Sequence, residues 1–284
     1  MPRTIDAHHH FWSLADRAEQ TWRGPGHDAI ARDFQPGDLR PLLSASGVDA
    51  TVLVQAAETP AENDRLAAYV AETDIVAGAV GWLPVTDPER ARAELRRLAG
   101  RDGIRGVRCG VGRAPLGDLA AGAVGELFAE LAASGLSWDI VAVTDEHADA
   151  VVRLADAVPG LRIIVDHLAR PPLDGGDRRV WADRVRALAD RPNVALKVSV
   201  GIDVLTTGWS WDRDALTWYV EHAVRCFGPD RLMLSSNWPV VLLGQEYTTV
   251  WRDLSACVRA TGVSGADLDQ VLGGTAARWY RLDS

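Results

Sequence analysis

The sequence predicts a single parallel (β/α)8 barrel of the TIM class, and three observations carry that expectation. Short apolar runs of strand length recur, each leading to a stretch with apolar residues at i, i+3 and i+4. Eight such units in 284 residues suit one closed barrel, which typically takes about 250 residues, better than a doubly wound sheet. The dinucleotide fingerprint is also missing, because Gly110-Val111-Gly112 lacks the third glycine and a suitable strand–helix turn. No composition break or linker divides the chain, so residues 1–284 read as one domain.

Taken in order, strands are expected near residues 4–8, 50–55, 75–82, 104–108, 137–141, 161–166, 194–197 and 231–236. Helical patterns cover 61–72, 88–98, 119–133, 147–157, 180–189, 215–226 and 246–260, and a last helix covers 265–280. Thr86-Asp87-Pro88 supplies a cap and a first-turn proline, and Ser264 and Asp267 open the last helix. Two connections are too long for plain βα loops. Residues 11–37, with Trp12, Trp22 and His27, follow the first strand, and residues 201–213, with Trp209 and Trp211, follow the seventh. Both leave at the C-terminal face, where barrel active sites lie, so both are expected to overhang the mouth and bring indole surface to it.

Composition narrows the function classes. Thirty basic against thirty-nine acidic residues give a net charge of −9 with no long basic cluster, so nucleic acid and anionic membrane are poor partners. A small-molecule substrate is the expected partner. No apolar run approaches the roughly 18 residues of a bilayer span. The opening MPRTIDAHHH carries no apolar signal core, and three cysteines without a CxxC pair fit a reducing compartment, so the cytoplasm is the expected location. There is no GxSxG elbow, HExxH or P-loop.

The residues that could carry chemistry sit at strand ends. In Asp6-Ala7-His8-His9-His10, alternation lets His8 and His10 point together into the barrel mouth, while His9 points into the surrounding shell. Two convergent neutral imidazoles are the usual start of a metal site. Asp6 shares their face but lies deeper, where it would support them. The sixth strand ends in Asp166-His167-Leu168-Ala169-Arg170-Pro171-Pro172, which places His167 to join the pair. Alternation would send Asp166 to the other face. The eighth strand ends in Ser235-Ser236-Asn237-Trp238-Pro239.

With DAHHHFW, DHLARPP, SSNWP and the closing GGTAARWY on the page, the chain resembles the amidohydrolase-related sugar-lactone hydrolases, the group acting on products such as fuconate or rhamnonate lactones. GVDATVLVQAAET, VGWLPVTDP and NVALKVSVG resemble the same group in the same order, from about residue 4 to residue 282. The resemblance implies a distorted (β/α)8 barrel with His8, His10, His167 and the residue at 237 around a divalent metal, zinc above others. It departs at 237, where the group usually has Asp and this chain has Asn. An aspartate binds a cation as an anion and takes a proton from water, whereas an amide only exchanges hydrogen bonds. Weak or absent metal is therefore expected.

Other polar and aromatic residues are candidates for the substrate. Gln55 ends the second strand. On the fourth, the resemblance favours Arg105, in GIRG, and the strand-end position favours Arg108. Lys197 is a charge inside a buried strand and reads either as a carbonyl- or carboxylate-binding group or as half of an internal ion pair. His147, His27, Trp12, Trp82 and Trp238 complete the set, the indoles because a flat ring covers a sugar face well. Hydrolysis of a lactone or related cyclic ester is the expected activity. A decarboxylase-like lyase and a non-catalytic binder are the alternatives.

Overall fold

The computed structural model describes residues 3–109 and 116–282, so the Gly110-Val111-Gly112 segment lies outside the described residues. The strands are β1 (Ile5–His9), β2 (Ala50–Val54), β3 (Val76–Trp82), β4 (Ile104–Arg108), β5 (Ser137–Ile140), β6 (Ile163–Val165), β7 (Val194–Val198) and β8 (Leu232–Leu234). They pair in sequential order, all parallel. At the remaining seam, His10 N–H donates to Trp238 O at 2.7 Å and Asn237 N–H to His8 O at 2.9 Å. The sheet thus closes into a (β/α)8 barrel through the very segments that carry the candidate site.

The helices are α1 (Pro36–Ser46), α2 (Pro60–Glu72), α3 (Pro88–Leu98), α4 (Gly122–Ser134), α5 (Asp145–Ala157), α6 (Arg178–Ala189), the one-turn α7 (Ile202–Leu205), α8 (Arg213–Phe227), α9 (Tyr247–Ala260), α10 (Gly265–Asp269) and α11 (Thr275–Trp279). The periodicity did not reveal α1, because Pro36, Gly37 and Pro41 read as breakers. It forms because Pro36 occupies the first turn, Gln35 and Asp38 close a capping box, and Gly47 ends it in the left-handed region. Burying Leu39 and Leu43, at roughly 1.5–3 kcal/mol each, offsets the ~3 kcal/mol cost of internal Pro41. The expected last helix is interrupted by a π-helical turn at Gln270–Gly274. Here the chain presses on the start of β1, and a Cβ on Gly273 would lie 1.9 Å from the Arg3 carbonyl oxygen.

Two apolar layers hold the barrel. Leu53, Val107, Trp138, Ile163 and Leu196 belong to the layer packed against the helices. Inside, Ile5, Ala7, Val52, Val54, Val80, Ile164, Ala195 and Met233 form a second cluster with Trp279 and Tyr280. The C-terminal segment therefore plugs the end opposite the strand C-termini, where Arg162 also donates to Trp279 O at 2.8 Å. No described helix is long and apolar enough to cross a membrane.

Candidate active site

A bulge in β1 sets the first half of the site. Asp6 pairs with Thr51 and His9 with Leu53, so three steps on β1 face two on β2. The extra residue lets His8 join His10 in the mouth while separating Asp6 from them. Instead of supporting the imidazoles, the Asp6 carboxylate accepts hydrogen bonds from Ser236 N at 2.9 Å and Ser236 Oγ at 2.6 Å. It thereby fixes the strand end that bears Asn237. Burial pushes Asp6 up to about 6.

Tautomers follow from the partners. The Val54 carbonyl, 2.8 Å from His10 Nδ1, can only accept, so that nitrogen carries the proton. His10 Nε2 then holds a lone pair and lies 3.2 Å from His8 Nε2. The other ring nitrogen of His8, Nδ1, lies between a donor, Lys197 Nζ at 3.1 Å, and an acceptor, Asp166 Oδ1 at 3.3 Å. His167 packs on His8 with ring centroids 4.6 Å apart and has Nδ1 2.8 Å from Ser199 Oγ.

Asp166 is the main correction to the alternation argument. His167, Leu168, Ala169 and Arg170 have φ of 55°, 51°, 49° and 56°, a left-handed turn that replaces strand geometry at once after β6. Asp166 and His167 consequently face His8 together. Left-handed residues cost roughly 1–2 kcal/mol each. The turn is held by full burial of Leu168 and Ala169 and by hydrogen bonds from Trp181 Nε1 to Leu168 O and Arg184 Nη1 to Ala169 O.

Beneath the imidazoles lies a charged layer. Lys197 Nζ is 2.7 Å from Asp139 Oδ2 and 2.9 Å from Asp166 Oδ1, and Asp166 Oδ1 is 3.3 Å from His8 Nδ1. Arg108 donates to Asp166 Oδ2 at 3.1 Å and to Gln55 O at 2.9 Å. Two cations thus balance two carboxylates. Burial would raise Asp166, but the charge of Lys197 outweighs it and holds this carboxyl well below the usual range. Burial raises Asp139 against the opposing pull of Lys197. Burial also lowers all three imidazoles, helped at His8 by Lys197 and at His10 by Arg108, and His167 falls to about 4. At neutral pH all three rings are neutral.

Asn237 has φ of 59° and donates from Nδ2 to Val200 O at 2.9 Å. Its Oδ1 is buried without a hydrogen-bond partner among the described residues, an acceptor in waiting. It lines a cavity of about 470 Å³ together with the polar residues His10, Gln55, Arg108 and His167 and the apolar residues Val141, Val143, Ile202 and Val240. Such a volume suits a small organic ligand. Loop 11–37 adds Thr21 and Trp22, and loop 201–213 adds Asp203 beside Ile202.

Several candidates lie elsewhere. Lys197 is fully buried below His8 and does not line the cavity; it is an internal ion pair, as strand burial requires. Arg105 sits toward the plugged end, beside Gly78 and Leu282, because it is near the start of β4. Trp82 lies under Arg90, and Trp238 packs edge-on to Phe34. Trp12 and His27 flank Trp22 behind the cavity wall. His147 is buried in the first turn of α5. Trp211 donates to Asp253 and contacts Trp209, so loop 201–213 contributes no indole to the lining. Trp22 is the indole that loop 11–37 was expected to bring to the mouth, and the residues that pattern reading missed are Asp139 and Tyr280, whose hydroxyl donates to Asp139 Oδ2. Asp139, a charge inside strand β5, was the legible signal.

The donors suit a divalent cation. His8, Asp166 and His167 each offer a ligand atom within 4.8 Å of the others, His10 Nε2 adjoins them, and Asn237 Oδ1 is unengaged. Lys197 behind His8, and Arg108 3.5 Å from His8 Nε2, oppose that charge.

Residues 5–282 match the amidohydrolase family. Two L-fucono-1,5-lactonases are similar over 98% of this chain and 96% of theirs, that of Burkholderia ambifaria at 35% identity and that of Burkholderia multivorans at 31%. A crystal structure of a Burkholderia multivorans amidohydrolase with bound zinc superposes with a TM-score of 0.89 at 28% identity, covering 99% of this chain and 100% of the other. Members of this family usually hold a divalent metal. From the span of the match and the identity of these relatives, the chain belongs to the amidohydrolase family.

Proposed function

We propose that this protein hydrolyses a sugar lactone, using His10, His167 and Asn237 on the polar side of the cavity. The observation that carries the reading is the unengaged, buried Asn237 Oδ1, in a residue that lines the same cavity as two neutral imidazoles. The names of the lactonase relatives point to the same reaction. Water donates one hydrogen bond to Asn237 Oδ1, which aims its lone pair at the lactone carbonyl. His167 keeps a proton on Nδ1 toward Ser199 and takes the water proton at Nε2. Its own affinity is low in the empty site, but the Asp166 carboxylate favours the imidazolium that forms. The guanidinium of Arg108 and the amide of Gln55 stabilise the oxyanion. Collapse breaks the ring C–O bond, and His167 returns the proton to the departing alkoxide, giving the hydroxy acid.

A divalent cation held by His8, His10 and His167, with Asp166 or Asn237, would polarise the carbonyl and acidify the water. The balanced charge of Lys197, Arg108, Asp139 and Asp166, with an amide at 237, leaves such a cation uncompensated and favours weak binding. Acid release from a panel of five- and six-membered sugar lactones, with and without chelator, tests the reading. Carbon dioxide release from carboxylated substrates, with every lactone inert, would replace it by the lyase alternative. Ligand binding without turnover would leave a binder.

A further inference from the structure

We propose that Arg23 is a positioning residue that acts on substrate through Trp22, the indole that loop 11–37 brings to the cavity. Its kinetic consequence rests on the lactonase reading; its structural consequence does not. Trp22 lines the cavity and donates Nε1 to Ala56 O at 2.7 Å. That one bond pins an edge of the ring and leaves its tilt free. The tilt is set by a guanidinium. Arg23 Cζ lies over the Trp22 ring, 4.8 Å from its centroid, and over the Trp12 ring at 4.4 Å. The two indoles are 5.6 Å apart and inclined at 60°, so one half-buried cation caps both of them. Arg23 is itself held by residues before and after it in the loop. Its Nε donates to the side-chain oxygen of buried Gln20, and its Nη1 donates to the carbonyl of buried Ile30 at 3.1 Å. Trp12 is fixed independently. It is buried, donates Nε1 to Arg32 O at 2.8 Å, exchanges backbone hydrogen bonds with Phe34 and packs edge-on to that ring. Arg23 therefore ties a rigid frame, built from Trp12, Gln20 and Ile30, to the indole that meets the ligand. Among the described residues Arg23 is not part of the cavity lining, so it reaches substrate through Trp22.

The test uses Arg23→Met in the full chain, which keeps the apolar stem and removes the planar cation with its donors. Labelling with fluorotryptophan gives each indole a ¹⁹F signal, and Trp22→Ala identifies the Trp22 signal by its disappearance. In Arg23→Met that signal should broaden, and its shift between H2O and D2O should increase as the ring loosens toward solvent. Loss of charge alone would move the signal without changing this solvent dependence. On a lactone substrate, KM should rise about fivefold with kcat held within about twofold, the fold-change of one lost cation–π contact. Added to Trp22→Ala, the same change should raise KM no further, because its effect passes through the missing indole. A merely structural role would lower thermal stability and leave the Trp22 signal and the KM of the folded fraction at wild-type values. Arg23→Lys, which keeps the charge but not the flat two-armed donor, should change both readouts less and serves if Arg23→Met does not fold. A wild-type Trp22 signal in a folded variant, an unchanged KM, or an equal rise in KM with and without Trp22 overturns the proposal. If the wild type opens no lactone, the functional reading falls while the ¹⁹F result still decides whether Arg23 sets Trp22.

Discussion

The ammonium nitrogen of Lys197 lies 3.1 Å from Nδ1 of His8, and both side chains are fully buried. A cation behind a prospective metal ligand is unusual, because a metal-bound imidazole needs its second nitrogen as a donor. The charge of Lys197 is neutralised by Asp139 and Asp166 rather than by substrate, and Asp166 Oδ1, 3.3 Å from the same His8 nitrogen, supplies the acceptor there.

Lys197→Met should therefore destabilise the fold by about 3–5 kcal/mol, the usual consequence of leaving a buried ion pair half broken. Urea unfolding of chelated protein measures it. A loss under 1 kcal/mol would mean that the two carboxylates protonate or find other donors easily.

Asn237→Asp should raise zinc affinity by at least about tenfold, since a carboxylate at contact distance cancels one unit of the cation's charge. Bound zinc is counted after dialysis against a weak chelator, beside lactone turnover. Stoichiometric, chelator-resistant zinc in the wild type would contradict the expected weakness. A gain of metal with a loss of turnover would show that the amide belongs to a working metal-free site.

The barrel was legible because eight strand periods of parallel type leave few closed alternatives, and the strand ends named His8, His10, His167 and Asn237 at once. What alternation could not reveal was where it fails. The β1 bulge separated Asp6 from His8, and the left-handed turn after β6 brought Asp166 beside His167. Both departures are set by tertiary contacts, the first by closure against β8 and the second by the packing of Leu168 and Ala169. Tyr280 was hidden for a similar reason, since a residue entering from the C-terminal plug has no strand position to mark it.

Trp22→Ala should weaken substrate binding without unfolding the barrel. The indole lines the cavity and donates from Nε1 to Ala56 O at 2.7 Å, so its loss removes both wall and anchor. A rise in KM of about tenfold or more, with kcat less affected, is expected for a lost aromatic contact. Trp209→Ala, outside the lining, serves as the paired comparison and should leave KM unchanged. Equal effects from the two would mean that the indoles act only through loop order.

His9 supplies a pH test that is separate from catalysis. Its ring packs edge-on to Phe11, 4.6 Å between centroids, with neither nitrogen engaged in a hydrogen bond among the described residues. Burial lowers it to about 3, from an ordinary 6.5. The folded state thus keeps His9 neutral, while the unfolded chain takes up a proton below pH 6.5. Stability from this group is fully present above pH 6.5 and is lost as pH falls toward 3, at about 1.4 kcal/mol per pH unit. His9→Phe removes that loss and two unsatisfied ring nitrogens, so the variant should be at least as stable as wild type at pH 7. Between pH 6.5 and pH 4 its advantage should grow by roughly 3 kcal/mol. His8, His10 and His167 titrate in the same sense and remain in both proteins, so the difference between the two curves isolates His9. Denaturant unfolding of chelated protein across this window reads it directly. Parallel curves would mean that the folded protein protonates His9 as readily as the unfolded chain does, and the apolar shell around it would have to open at mildly acid pH.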